Sequence, residues 1–286
     1  MRRLQSSSRC EGVALIAVLW LIAVLTLLAA TVATLSMSSR REATGSIEIE
    51  RLELLADSAI RLTLLNVIAA SRTRDGTMAL DHQLAVFDTN VTVNIELESG
   101  RIDLNTADDD LLFAFFMASG WSESQAQTVV ARIADWKDPD DTPRSGGAEL
   151  PEYLAANKKY GPRNAPFEAV EELRQVLGAE ALKPGLLDSF TVFTHAALPA
   201  EYAASAPVKA ALSWADAHEL GGHPWRRDTT SQSAKLSAGD LVGQIVRIHA
   251  CAHQSTLQSC REVVVRPVGQ PGNPFQVFIW RSHPWG

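Results

Sequence analysis

Cysteine is scarce in this chain, with three in 286 residues, too few to staple a disulfide mini-protein. Positive charge is in the minority as well: 26 Lys and Arg stand against 33 Asp and Glu, for a formal net charge of −7. Such a balance argues against a generic nucleic-acid binder, because phosphate affinity rests on clustered Lys and Arg. No Ser/His/Asp order, phosphate loop or CxxC pair rises above chance, so the chain reads as a non-enzyme. Apolar residues are not lacking. At 46% of the chain they exclude a disordered protein and allow one large domain or two small ones.

Their distribution is uneven. Val13 to Leu35 reads VALIAVLWLIAVLTLLAATVATL, without a charge, a proline or a glycine. At about 1.5 Å per residue this run spans a hydrocarbon core. It is too long for the apolar part of a secretory signal, and it lacks the polar face of a buried soluble helix. A retained membrane helix is the expectation. Arg2, Arg3 and Arg9 precede it and Arg40 and Arg41 follow it, a slight lean towards a cytoplasmic N-terminus. Beyond it, Leu52, Leu55, Ala59 and Leu62 recur at helical spacing among Glu50, Arg51, Glu53 and Arg61. The second half of the helix is thus amphipathic, ending near Arg72, Asp75 and Gly76, with Gly45 a point of weakness.

Val86 to Glu98 alternates as a half-buried strand, with Val91, Val93, Ile95 and Leu97 on one face. After Gly100 the pattern turns helical. Asn105 or Thr106 is a candidate N-cap ahead of Asp108, Asp109 and Asp110, and the helix runs to about Ser119. Gly120-Trp121-Ser122 makes a turn into a second helix, Glu123 to Trp136. Pro166 to Gly178 reads as another short helix, part of a second hairpin. Strands return in QIVRIHACAHQ, REVVVRPVG and FQVFIWRS.

DWKDPDDTPRSGGAELPEY, from Asp135 to Tyr153, is the densest set of oxygen ligands. Asp138, Asp140 and Asp141 crowd one turn, and Gly146 and Gly147 precede Glu149. Such a loop is either a solvated acidic turn, with Arg144 as partial counter-charge, or a seat for a hard cation. His218-Glu219-Leu220-Gly221-Gly222-His223 imitates a zinc-protease helix, but its histidines are five apart rather than four. It is rejected. His249, Cys251 and His253 share one face of a strand with Cys260 nearby, a zinc-competent set.

The short basic leader ending in Gly12, the apolar helix that starts at Val13, the LNTA-helix-turn-helix segment, W-x-D-x-D-D, GGAE and PFEAVEEL together resemble the minor pseudopilin K family of type II secretion. Ala17 occupies the fifth mature position, where most pilin-like proteins carry Glu. The resemblance implies an α+β fold, a long N-terminal helix packed on an antiparallel sheet with an inserted α-helical, SAM-like (helix-hairpin-helix) domain. Its expected divisions are a leader at 1–12, a membrane helix at 13–35, its periplasmic continuation at 36–72, a first part of the pilin-like domain at 73–99, the helical insertion at 100–189 and the closing β part at 190–286. It further implies cleavage between Gly12 and Val13 by a prepilin peptidase, methylation, and an inner-membrane, single-pass location with the C-terminal domain in the periplasm. The minor pseudopilins I and J, and H, are the implied partners at the tip of a pseudopilus whose assembly this subunit initiates. Structural calcium is implied at Asp138, Asp140, Asp141 and Glu149, with Asn164 an outer candidate. With Cys10 in the leader, Cys251 and Cys260 remain as an even pair beyond the membrane, and a disulfide is favoured over zinc.

The rival reading is a membrane-anchored helix-hairpin-helix DNA receptor of the competence type. Ser122, in place of a second hairpin glycine, and the acidic surroundings oppose it, so no nucleic acid is expected. N-terminal sequencing of the mature protein should begin at Val13; a start elsewhere contradicts the pseudopilin reading.

Overall fold

The computed structural model describes residues 11–72, 79–220, 238–270 and 272–283. One helix, α1 (Glu11–Ser71), runs unbroken through Gly45. From Leu15 to Thr31 its large apolar side chains are exposed all round, Leu15 at 64% and Trp20 at 69%. Thr26 and Thr31 return their hydroxyls to the carbonyls of Ala23 and Leu28, at 2.9 and 2.8 Å, so even the polar atoms here are satisfied within the helix. Ser46–Ser71 is also apolar enough by composition to cross a membrane. Its burial assigns it elsewhere: Leu52, Leu55, Ala56, Ala59, Ile60, Leu64 and Val67 are packed on a sheet. Leu62, expected on that stripe, is exposed instead, because the 3.6-residue period puts Thr63 and Leu64 over the sheet.

The sheet is antiparallel throughout, in the order β1-β2-β5-β6-β7. Its strands are β1 (Asp81–Val86), β2 (Thr89–Leu97), β5 (Val246–Gln254), β6 (Leu257–Gln270) and β7 (Asn273–His283). The single strand expected from Val86 onward is the second arm of a hairpin. Phe87, with φ of 53°, turns the chain between the arms. Val91, Val93, Ile95 and Leu97 face α1 as their alternation requires.

Strands β2 and β5 pair from Val91 with Ala252 to Leu97 with Val246, so the chain leaves the sheet after Leu97 and returns at Val246 beside its point of departure. This excursion is the helical unit: β3 (Ile102–Asp103), α2 (Asp109–Ala118), α3 (Glu123–Lys137), α4 (Leu150–Ala155), β4 (Phe190–Thr191) and α5 (Ala206–Ala217). Its own core gathers Leu111, Phe115, Phe116, Ile133, Trp136, Tyr153, Leu173 and Phe190. Val208, Ala211 and Ala215 of α5 belong to the same core, so the unit reaches Ala217 rather than closing at Ser189. The sequence there is Ala-rich, which masked a helix that packs closely on α2.

Local details also differ from expectation. Asp108, not Asn105 or Thr106, caps α2, accepting from the Leu111 N–H at 2.8 Å. Asn105 instead exchanges hydrogen bonds with the backbone of Phe167. The Pro166–Gly178 segment forms a 3-10 turn over Val170–Gln175 rather than an α-helix. Parallel pairing of β3 with β4 closes the base of the unit. There the buried Asp103 carboxylate accepts from the N–H groups of Asn105 and His195 and the hydroxyl of Thr194.

At the seam between unit and sheet, charges are buried in alternation. Glu98 accepts from Arg247 Nε at 2.6 Å, and Arg247 donates also to Glu262 at 3.0 Å. Glu262 takes Arg281 Nε at 2.9 Å, and Arg281 reaches Glu171 in the helical unit at 2.6 Å. Arg101 joins Glu96 to the Asp188 carbonyl. Beside this chain Gly100 lies against Ala203, where an added Cβ would come within 2.2 Å of the carbonyl oxygen. Gly100→Ala should therefore destabilise the protein by about 1–3 kcal/mol through overpacking. Gly185→Ala, with nothing within 4 Å, should melt like the wild type; thermal melts of both variants check this.

Candidate functional site

The last turn of α3 delivers Asp135 to the interior, fully buried. Its carboxylate accepts from the backbone N–H of Ala148 at 2.8 Å and of Arg144 at 3.2 Å. These bonds fold the segment after α3 back upon the helix. Gly147 permits the return, since a Cβ there would stand 1.9 Å from Asp135 Oδ2. Gly146 supplies a φ of +81° just before it. Asp140 closes a local turn by accepting from the Thr142 N–H at 2.8 Å. Asn164, with φ of 52°, donates to Asp141 Oδ1 at 2.9 Å and to the Asp140 carbonyl.

The loop thereby brings Asp138, Asp140, Asp141 and Glu149 into one acidic neighbourhood around Asp135. Positive charge is thin there. Arg144 pairs with Asp109 at 2.9 Å and stands 3.9 to 4.0 Å from Asp135 and Asp138. Glu149 is 1% exposed, and both of its carboxylate oxygens, with Asp138 Oδ1 and Asn164 Oδ1, are buried without a hydrogen-bond partner among the described residues. Burial first, and then repulsion from Asp135, Asp138, Asp141 and Asp140, pushes the Glu149 carboxyl up to about 7. Asp138 is raised for the same two reasons. Burial also lowers Lys137, whose ammonium is turned away to the Leu104 carbonyl at 3.0 Å.

Among the described residues no three His, Cys, Asp or Glu side chains are already arranged to hold a metal ion. The donor set nevertheless fits a hard cation: oxygen only, mutually repelling, short of donors, and desolvated at Glu149 while Asp140 and Asp141 stay exposed. Asp135 escaped the sequence reading. The available signal was a carboxylate beside Ile133, Ala134 and Trp136, on the buried stripe of α3.

The other sequence candidates separate cleanly. Cys251 and Cys260 face each other across β5 and β6 and are joined as a disulfide, with Cα atoms 4.1 Å apart. The zinc alternative is thereby lost, since both thiols are consumed and His253 is exposed. His218 caps the end of α5 and stacks on Trp214 at 3.7 Å, so no helix carries the His-Glu motif; Gly221 to His223 lie outside the described residues. Gly12 and Val13 lie within α1, while residues 1–10 of the leader fall outside the description, as do Asp75 and Gly76. At the α2–α3 hairpin Ser122 is an N-cap, with Gln125 returning the bond in a capping box. A phosphate would find these N–H groups taken.

Comparison with known proteins agrees with this architecture. Residues 93–187 match the family model described as Type II secretion system (T2SS), protein K. Type II secretion system protein K of Pseudomonas aeruginosa is 29% identical over 230 residues, covering 71% of this chain and 68% of the relative. One solved chain, from the GspK-GspI-GspJ complex of the enterotoxigenic Escherichia coli Type 2 Secretion System, shares the fold with a TM-score of 0.57 at 13% identity. That match covers 85% of this chain and 99% of the other.

The raised Glu149 pKa has a pH consequence. Between the ordinary value of 4.5 and about 7 the folded chain holds a proton that the unfolded chain has lost. Without a cation, this group's contribution is therefore full below 4.5 and is lost as pH rises towards 7. The difference in thermal midpoint between wild type and Glu149→Gln, after chelation, should widen in the variant's favour from pH 5 to pH 7.5; a constant difference would contradict the burial of this carboxyl. Pilin-like helix and sheet, the inserted helical unit, the acidic loop and these likenesses point one way: the chain is similar to the type II secretion system protein K proteins, and its residues 93–187 match their family model.

Proposed function

We propose that this subunit caps the periplasmic pseudopilus, in a complex with the minor pseudopilins I and J and with H beside them, and initiates filament assembly for export of folded proteins. The observation that carries the reading is the bulk of the helical unit. Its core runs from Ile102 to Ala215, between the strands that end at Leu97 and begin at Val246, seated on the seam of the pilin-like sheet. A subunit packed above it in a tight helical array would collide with that unit, whereas the end of the filament leaves it free. Ala17 supports the same place. In a stack of apolar helices each new N-terminal amine is costly unless paired, and a subunit with no carboxylate at that position neither offers the pairing nor buries an unpaired acid.

The exposed apolar length from Leu15 to Thr31 supports an inner-membrane anchor, entered after a prepilin peptidase cuts the leader at Gly12 and methylation follows. The solved relative that shares the fold was crystallised with I and J proteins, which favours the same partners here. Purified together, the three full-length minor pseudopilins should form a stable complex, and labelled subunits should mark one end of each filament. Labelling along the filament at major-subunit abundance would refute the tip position.

Calcium belongs to the same reading. Asp138, Asp140, Asp141 and Glu149 would hold it, with Asn164 near, while Asp135 keeps the loop folded around it. A bound divalent cation supplies the positive charge that offsets repulsion among these carboxylates. Calcium should raise the thermal midpoint of the detergent-solubilised chain by mass action. Asp138→Ala with Glu149→Gln should abolish that rise. A wild-type melt indifferent to calcium and chelator would leave the loop a solvated acidic turn.

A further inference from the structure

Beyond the tip role, we infer that the groove beside the α2–α3 hairpin binds an acidic segment of a protein partner. The groove encloses about 470 Å³ between Trp121 at the hairpin, one face of α3 and the segment from Gly178 to Lys183. Ser124, Thr128 and Arg132 follow one another at four-residue intervals along that face. They form a polar ladder that ends in a guanidinium.

Arg132 is fixed rather than free to search. One of its terminal nitrogens donates to the Leu177 carbonyl at 3.1 Å, and its Nε is buried without a partner. Gly178, at φ +88°, leaves room for this side chain, since a Cβ there would lie 3.1 Å from the guanidinium. Lys183 stands exposed on the opposite wall.

Arg51, Arg101, Arg144, Arg163, Arg247, Arg261 and Arg281 are each bound to carboxylates. Arg132 and Lys183 have no carboxylate partner among the described residues, although the chain has acid in surplus. The nearest candidates are otherwise engaged: Glu180 holds Lys158 at 2.9 Å and the Gly178 N–H, and Glu123 accepts from Gln127. Two unpaired cations facing one groove, with hydroxyl donors and an indole between them, match a carboxylate-bearing peptide. The hairpin disfavours a nucleic-acid occupant, because Ser122 and Gln125 close the N–H groups that would hold phosphate. Asp108, Asp109 and Asp110 at the start of α2 add repulsion.

The net charge of −7 makes the test selective, since an acidic probe is repelled by the rest of the surface. A fluorescein-labelled octapeptide rich in Glu, carrying a benzophenone, is titrated into the full chain in neutral detergent at low salt. Saturable binding is expected, weakened at least fivefold by Lys183→Gln and by Arg132→Gln and unaffected by Lys159→Gln. Photocrosslinks should fall within residues 119–132 and 178–183. The Lys183 carbonyl accepts from the Leu186 N–H, a bond that Lys183→Gln keeps, and its side chain is exposed, so that variant keeps the test valid if Arg132→Gln is unstable. Absence of saturable binding, equal binding by the Lys183 variant, crosslinks elsewhere, or tighter binding of single-stranded DNA of the same length would each overturn the inference.

Discussion

The fold depends most heavily on a run of alternating charges, buried at Glu98, Arg247 and Glu262 and passing to the surface at Arg281 and Glu171. Glu98 and Glu262 are fully buried, and a carboxylate removed from water is tolerated only where cations and donors surround it. Arg247 serves both acids at once, at 2.6 and 3.0 Å, and the two acids together hold its guanidinium firmly protonated. From Glu262 the run passes outward through Arg281 to Glu171 in the helical unit. The seat of the inserted unit on the sheet is thus specified by direction and charge, which an apolar contact would leave free to slide. Gly100 against Ala203 adds a steric register to the same seam.

The acidic loop follows the opposite logic. Its carboxylates are gathered by backbone bonds to Asp135 and by two glycines, yet Glu149 and Asp138 keep oxygens that no described residue satisfies. At the seam the protein supplies its own cations. In the loop it gathers carboxylates and sets only Arg144 among them, which also pairs with Asp109.

Much of this was legible beforehand, and the exceptions have physical causes. The apolar run at Val13 to Leu35, the alternation around Val91 and the two helices flanking Gly120 are patterns within short windows, where periodicity reports directly on burial. Asp138, Asp140, Asp141 and Glu149 stood out as a dense cluster and do share one neighbourhood. Asp135 did not stand out, because its role comes from accepting backbone bonds nine and thirteen residues later. Helix α5 was lost in an Ala-rich stretch whose packing on α2 is a property of the folded core. The relay runs from Glu98, in the turn after β2, through β5, β6 and β7 to Glu171 in the helical unit, and single charges in separate elements carry no local sign of one another. Leu62 shows the same limit at smaller scale, since a helical repeat names a stripe without fixing which flank faces the sheet.

The claim that this relay seats the helical unit is tested most directly by amide hydrogen exchange on the full chain carrying Arg247→Met, which leaves Glu98 and Glu262 buried without their shared cation. Removing one partner from such a pair costs about 3–5 kcal/mol, enough to expose whatever the relay holds. Protection should be lost together in β5 to β7 and in residues 167–190 of the helical unit. Loss confined to the sheet, with residues 167–190 exchanging as in the wild type, would contradict the account.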